Sequence, residues 1–389
     1  MKRALRLLCA IIATLLFLSA SSCTNINYNE PEDLQFVAGM AIDRLPDGQM
    51  QVTVELENTK GGENPELQAK YLVMKGANVV DAARNSLTLT DKTLYWNHMD
   101  LVIVSEEVAQ KYLTEVLDTL IRMYNINMSL TVAVSKMPTA KEILMNQGTP
   151  EETLLSSDVI VNSLRIQKRL GKAPLIKLFE FYDDAMDEGR SGYLPTVSIY
   201  SDLENTLQIS GSAVFNGIWL AGYLDDEETK TMLLLLDQQK LLSYALPASP
   251  TGAYSNASID LMPDKVTIKP SYANGKASVD IKIVADVSLM AINGASEDNS
   301  HQEALIEDLL RNTAMMLERN AYSLIDKTRT MNSADVLGVG ATYKDKHGQE
   351  WKQIGSQWRD LYKDMDVTVS AKLRLRNTGL IQAPAKYGD

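Results

Sequence analysis

The side chains in this chain that could do chemistry are few, and the most informative is a thiol. Cys23 directly follows four small residues, Ser19, Ala20, Ser21 and Ser22. Before them lie a basic head (Lys2, Arg3, Arg6) and an apolar run of 12 residues, Leu7 to Leu18. That order composes a secretory signal peptide. The run falls short of the roughly 20 residues a spanning helix needs. The only other cysteine, Cys9, lies inside it, so a processed chain keeps one thiol and can form no internal disulfide. The three histidines, His98, His301 and His347, are scattered, with no i, i+4 pairing and no carboxylate at ligand spacing. A zinc site needs three or four converging ligands, so no metal and no cofactor are expected.

Other candidates read as scaffolding. Gly338-Val339-Gly340 resembles the start of a dinucleotide fingerprint, but no third glycine follows at the required spacing. Ser210-Gly211-Ser212 is not a nucleophile elbow. Asp183-Asp184 and Asp225-Asp226 suit helix caps and solvated faces. Trp351 and Trp358 fall on one stripe with Ile354 and Leu361, which predicts core rather than a ligand platform. Lys372, Arg374 and Arg376 alternate along a strand, a pattern of a solvated face or a guarded sheet edge. No catalytic residue is expected.

Cys23 after small residues looks like a bacterial lipoprotein processing site, although the residue three before the cysteine, usually Leu, is Ala20. In that chemistry the sulfur is diacylglycerated and the chain is cut before Cys23. One acyl chain binds a bilayer marginally, whereas two or three on one cysteine hold firmly. Without the three basic residues of the leader, 35 basic residues face 50 acidic ones, a net charge of −15. So acidic a body is repelled by nucleic acid and by anionic lipid, and the lipid must supply the attachment.

The elements that follow predict an α+β, multi-domain protein with hairpins prominent in its second half. Residues 1–22 read as signal peptide and 23–33 as a lipidated tether. Residues 34–200 read as an N-terminal α+β domain, 206–250 as a middle hairpin-helix region and 251–389 as a C-terminal α+β domain. Strands are expected at Phe36–Ile42 and Gln51–Glu57 around Asp47-Gly48, the second burying one face through Val52, Val54 and Leu56. Met99–Val104, a helix of about five turns opened by Ser105, and Ser129–Val134 predict a parallel pair with a right-handed crossover. Helices are expected near Glu151–Leu170 and Pro174–Glu188, and a boundary at Ser201–Asn205. Asn216-Gly217 predicts a hairpin, and Asn274-Gly275 turns into a long alternating strand. His301–Lys327 is the longest predicted helix, with Ile306, Leu310, Leu317 and Leu324 inward.

Taken in order, these segments resemble the Ger(x)C family, the lipoprotein C subunits of bacterial spore germinant receptors. The resemblance runs through Cys23, Asp33–Asp43, Lys92–His98, Leu194-Pro195, Gly211–Phe215, Leu220–Leu224, Ala334–Gly340, the two tryptophans and the last strand to Gly379. The Trp-Asp pair usual after the family's cysteine is Thr24-Asn25 here. The resemblance implies three α+β domains, no assigned catalytic residues and lipid attachment at Cys23. It also implies partners: a polytopic A subunit and an integral-membrane B subunit, on the outer leaflet of the spore inner membrane, in nutrient sensing. Gly39 and Asp43 match in position without an implied role. A solute-binding lipoprotein of a transporter would share the anchor but should show two lobes of repeated parallel units. An envelope hydrolase would need a nucleophile–base pair.

Overall fold

The computed structural model describes residues 31–60, 66–123, 126–146, 155–167, 170–203, 206–295 and 302–377. Strands β1 (Leu34–Arg44), β2 (Met50–Lys60) and β3 (Glu66–Gly76) form an antiparallel meander. Helix α1 (Val79–Arg84) is capped by the Asn78 side chain, which accepts from the Asp81 N–H. A short strand β4 (Thr93–Tyr95) then pairs with the start of β1.

Strands β5 (Leu101–Val104) and β6 (Thr131–Ser135) pair in parallel, as the apolar runs predict. The connecting helix is broken at Tyr112 into α2 (Glu106–Lys111) and α3 (Leu113–Arg122). Helices α4 (Ala140–Leu144), α5 (Ser156–Gln167) and α6 (Leu178–Met186) follow, the last two shorter than their periodicity suggests. Strand β7 (Tyr193–Ile199) lies parallel to β6, and β8 (Leu207–Asn216) with β9 (Trp219–Leu224) forms the Asn216-Gly217 hairpin. All nine strands make one sheet, in the order β3-β2-β1-β5-β6-β7-β8-β9 with β4 beside β1. The expected boundary at Ser201–Asn205 therefore falls between β7 and β8, which are hydrogen-bonded neighbours.

Beyond a capping box at Asp225 and Glu228, helix α7 (Asp226–Leu235) leads to a second sheet. Its strands are β10 (Leu242–Leu246), β11 (Asn256–Ala273), β12 (Lys276–Asn293) and β13 (Asp366–Asn377), in chain order. Strand β11 runs through Pro263 with a bulge before Lys265. Helix α8 (Gln302–Thr330) buries Leu309, Thr313, Leu317, Ala321, Leu324 and Ile325, leaving Ile306 and Leu310 half-buried. The tryptophan stripe is carried by α10 (Gly348–Ile354) and α11 (Trp358–Lys363), separated by a 3-10 turn and preceded by α9 (Val339–Lys346).

Alternate residues of the central strands enter different cores. Met40, Ile42, Val102, Val104, Val132 and Val134 join a cluster that continues into the second sheet. Ala41, Leu101, Ile103 and Ala133 face a smaller cluster with α4 and α5. This second cover corrects one expectation. On β2, Gln51, Thr53 and Glu55 are buried as well as Val52, Val54 and Leu56, because helices pack on both faces there.

Candidate functional site: buried carboxylates at helix starts and at the sheet joint

The first turn of an α-helix leaves N–H groups without helical partners, and carboxylates satisfy them well. Three buried acids do this, Asp43 and Glu55 across 97 and 101 residues of sequence and Asp335 within its own turn. Asp43, near the end of β1, accepts from Ala140 N (2.6 Å) and Lys141 N (3.0 Å) at the start of α4. Glu55 on β2 accepts from Ser156 N (2.8 Å), Ser157 N (2.9 Å), Ser157 Oγ (2.5 Å) and Tyr71 OH (3.0 Å), fixing the start of α5. Asp335 accepts from Val339 N (3.0 Å) and Gly340 N (2.8 Å), at the start of α9, and from Trp358 Nε1 (3.0 Å).

Burial pushes all three carboxyls above the ordinary carboxylate range, and the donated N–H groups pull them partly back. Asp335 ends at about 6. A raised carboxyl in a cleft would be a candidate general acid. Asp335 is instead 2 % exposed and surrounded by its three donors, so it holds structure together.

What it holds is the joint between the sheets. The Asp335 carbonyl accepts from Ser191 N at 2.9 Å, and Ala341 N donates to the Gly189 carbonyl at 2.8 Å. Arg190–Asp184 (3.1 Å) and Lys344–Asp187 (3.2 Å) flank the contact. Here the Gly338-Val339-Gly340 motif finds its reason. Gly338 has φ +62°, and a Cβ on Gly340 would sit 2.5 Å from Trp358 Nε1. The glycines admit an indole and a neighbouring backbone, not a phosphate. Asn216 Nδ2 adds a bond to the Asn332 carbonyl at 2.6 Å.

The remaining candidates lie apart. Cys23 and His301 fall outside the described residues. His98 pairs with Glu57 at 2.9 Å, and His347 stacks on Tyr343 at 4.6 Å between centroids. Trp351 and Trp358 are buried with ring centroids 5.4 Å apart, so they are core. Asp225 is a helix cap, Asp226 pairs with Lys172 and Asp184 with Arg190. Arg374 bridges Asp286 (2.8 Å) and Asp264 (3.1 Å) on an exposed face. The sheet edge beyond it is covered differently: Val369 N and Ala371 N donate to Tyr322 OH and Glu318 Oε1 of α8. Among the described residues no group of three or more His, Cys, Asp or Glu could hold a metal ion. No described helix is long and apolar enough to cross a membrane. Sequence reasoning missed Glu55, Asp335 and the 189–191 segment as structural joints. Glu55 was hidden because its alternation with valines matches that of a solvent-facing position.

The fold and its joints define a two-sheet α+β protein whose buried polar groups tie helices and sheets together. Its sequence matches two family models. One is the spore germination protein N-terminal domain, over residues 27–199; the other is the spore germination B3/GerAC-like C-terminal domain, over residues 210–379. The chain belongs to this spore germination protein family, the family of GerAC-like germinant receptor C subunits. It is 22% identical over 385 residues to spore germination protein KC of Bacillus subtilis, covering 92% of this chain and 93% of that one. Spore germination protein B3 of Bacillus subtilis is 19% identical, with 95% and 98% covered. Spore germination protein GerQC of Bacillus cereus is 20% identical, with 90% and 94% covered. The crystal structure of the GerBC protein shares the fold, with a TM-score of 0.54 at 16% identity over 87% of this chain and 96% of that chain. The first family model ends with β7 at residue 199 and the second begins within β8 at residue 210, and these two strands are hydrogen-bonded neighbours in the nine-stranded sheet.

Proposed function

We propose that this protein is the lipid-anchored, non-catalytic C subunit of a spore nutrient germinant receptor. Cys23 carries the acyl groups and holds the acidic body on the extracytoplasmic face of the membrane, beside integral-membrane A and B subunits. The observation that carries the reading is the two-part family match, which spans residues 27–199 and 210–379. A solute-binding lipoprotein is not favoured: the second sheet is mainly antiparallel and repeats no parallel unit of the first. Tethering raises the local concentration of the body near its partners, so modest intrinsic affinities suffice. Deletion of the gene should slow or abolish germination in response to one set of nutrients. Germination triggered without nutrient receptors should be unchanged. A deletion strain that answers normally to every nutrient requiring the neighbouring receptor genes overturns the assignment.

A further inference from the structure

Strands β1, β5 and β6 start at one end of the nine-stranded sheet, with Gly39 level with Leu101 and Leu101 level with Thr131. The chain enters β1 at that same end, at Leu34. Four large apolar side chains lie exposed there. Phe36 and Tyr95 are each 36% exposed, Ile121 is 37% and Phe179 is 43%. Phe36 and Tyr95 sit opposite each other on β1 and β4, with rings edge-to-face at 5.5 Å, and the His98 ring lies 5.7 Å from Phe36. Phe179 N donates to the carbonyl of Met128 (3.2 Å), three residues before β6, so the first turn of α6 stands at the same end. Ile121 is in the last turn of α3, which returns there before β6. Only β5 separates β1 from β6, so those strands are about 10 Å apart.

The length of chain between the sheet and Cys23 says what faces this end. Ten residues lie between Cys23 and Leu34, which makes eleven steps of the backbone. At 3.3–3.6 Å each they reach about 40 Å at most, whatever their conformation. A lipid on Cys23 therefore keeps the start of β1 within about 40 Å of the bilayer, so this end is the one the anchor can bring down onto it. Tyr95, with its hydroxyl, is the amphipathic kind of side chain that settles at headgroup level, and the Phe and Ile side chains beside it supply apolar surface. Their insertion needs no positive charge, which an acidic body could not supply in excess.

We propose that the sheet end bearing Phe36, Tyr95, Ile121 and Phe179 rests on the membrane interface. It forms a second, weaker attachment beside the lipid and sets the orientation in which the body meets its partners. The proposal rests on acylation of Cys23. Because the processed chain has no other thiol, a single engineered cysteine is a unique labelling site in the full-length lipidated protein. Tyr95→Cys and Phe179→Cys carry nitroxides at the patch, and Met315→Cys carries one on α8, where Met315 is 58% exposed. The labelled proteins are reconstituted in phosphatidylcholine vesicles. At 95 and 179 the ratio of collisional access to oxygen over access to a water-soluble nickel chelate should rise several-fold above that at 315. Equal, aqueous values at all three positions overturn the docking. Mass spectrometry of the Cys23 peptide from the same samples separates the two readings: acylated Cys23 with aqueous labels sinks only the docking, and a free Cys23 sinks both. Shielding at 95 and 179 that appears only when integral-membrane partners are added also overturns it, assigning the face to protein.

Discussion

The two sheets use alternation differently. On β2 the polar partners of Val52, Val54 and Leu56 are Gln51, Thr53 and Glu55, and all are buried, with Glu55 against the start of α5. On β12 the polar partners of Val279, Ile281 and Ile283 are Ser278, Asp280 and Lys282, and these face solvent wholly or in part. The same written pattern thus marks a sheet with two cores in one place and one core in the other. The difference lies in what the polar side chains do. Glu55 satisfies the first N–H groups of a helix 101 residues away, whereas Arg374 and Asp286 satisfy each other across neighbouring strands.

If the buried acids and the joint tie the molecule together, the largest effect should come from the indole that Asp335 holds. Truncating a buried tryptophan costs about 3–5 kcal/mol. Trp358→Ala should lower the unfolding free energy read from denaturant titration by that amount, with a matching fall in the midpoint, because it empties the joint and removes a donor from Asp335. A Trp358→Ala protein with the parental midpoint would mean that the joint contributes nothing to stability.

Asp335 itself should give the next largest effect, visible as pH dependence. Its folded-state value of about 6 lies above the ordinary value of 3.8 that the unfolded chain shows. The stability this contributes is complete below about pH 4 and is lost as pH rises through 6. At about 1.4 kcal/mol per unit, the difference approaches ~3 kcal/mol at neutral pH. Asp335→Asn carries a constant penalty for mismatched donors but lacks the titration. Relative to this variant, the parent should lose stability between pH 4 and 7, and a constant difference across that range would overturn the assignment. Asp43 and Glu55 titrate in both proteins and cancel.

Much of this architecture can be read in the chain before it folds. The β5–β6 crossover, the Asn216-Gly217 hairpin, the Asp225 capping box and the tryptophan stripe are all local patterns, set by spacing within a few residues. What spacing cannot carry is a partner a hundred residues away. Nothing near Glu55 announces Ser156 and Ser157, and nothing near Gly340 announces Gly189. The joint is therefore invisible as a site although each residue in it is visible as a type. The break at Tyr112, whose backbone leaves the helical region between α2 and α3, has no counterpart in the apolar stripe, which continues across it. Cys23, the one residue to which the sequence assigns chemistry, lies outside the described residues.

Glu55→Ala tests the buried polar face directly. It leaves the N–H groups of Ser156 and Ser157 inside the protein without their acceptor, at a cost of about 1–3 kcal/mol. The loss should be local as well as global. Amide exchange at the start of α5 should accelerate more than exchange in β12. Uniform acceleration through both sheets would mean that Glu55 supports the whole molecule rather than one helix.

Arg374→Ala is the matching test on the exposed face, and its expected effect is the smallest. The guanidinium bridges Asp286 and Asp264, a geometry that looks as well satisfied as that of Glu55. The side chain is nevertheless 55% exposed, and its partners are 30% and 56% exposed. Water re-solvates the freed carboxylates, and ion pairs in such settings gain little against the entropy of fixing two side chains. Nor does the edge of β13 depend on Arg374, because Tyr322 and Glu318 of α8 already occupy the N–H groups of Val369 and Ala371. The denaturant midpoint should stay within experimental scatter of the parent at both low and high salt. An Arg374→Ala loss as large as that of Glu55→Ala would show that the exposed lattice of charges matters as much as the buried one, and the contrast between the two sheets would fail.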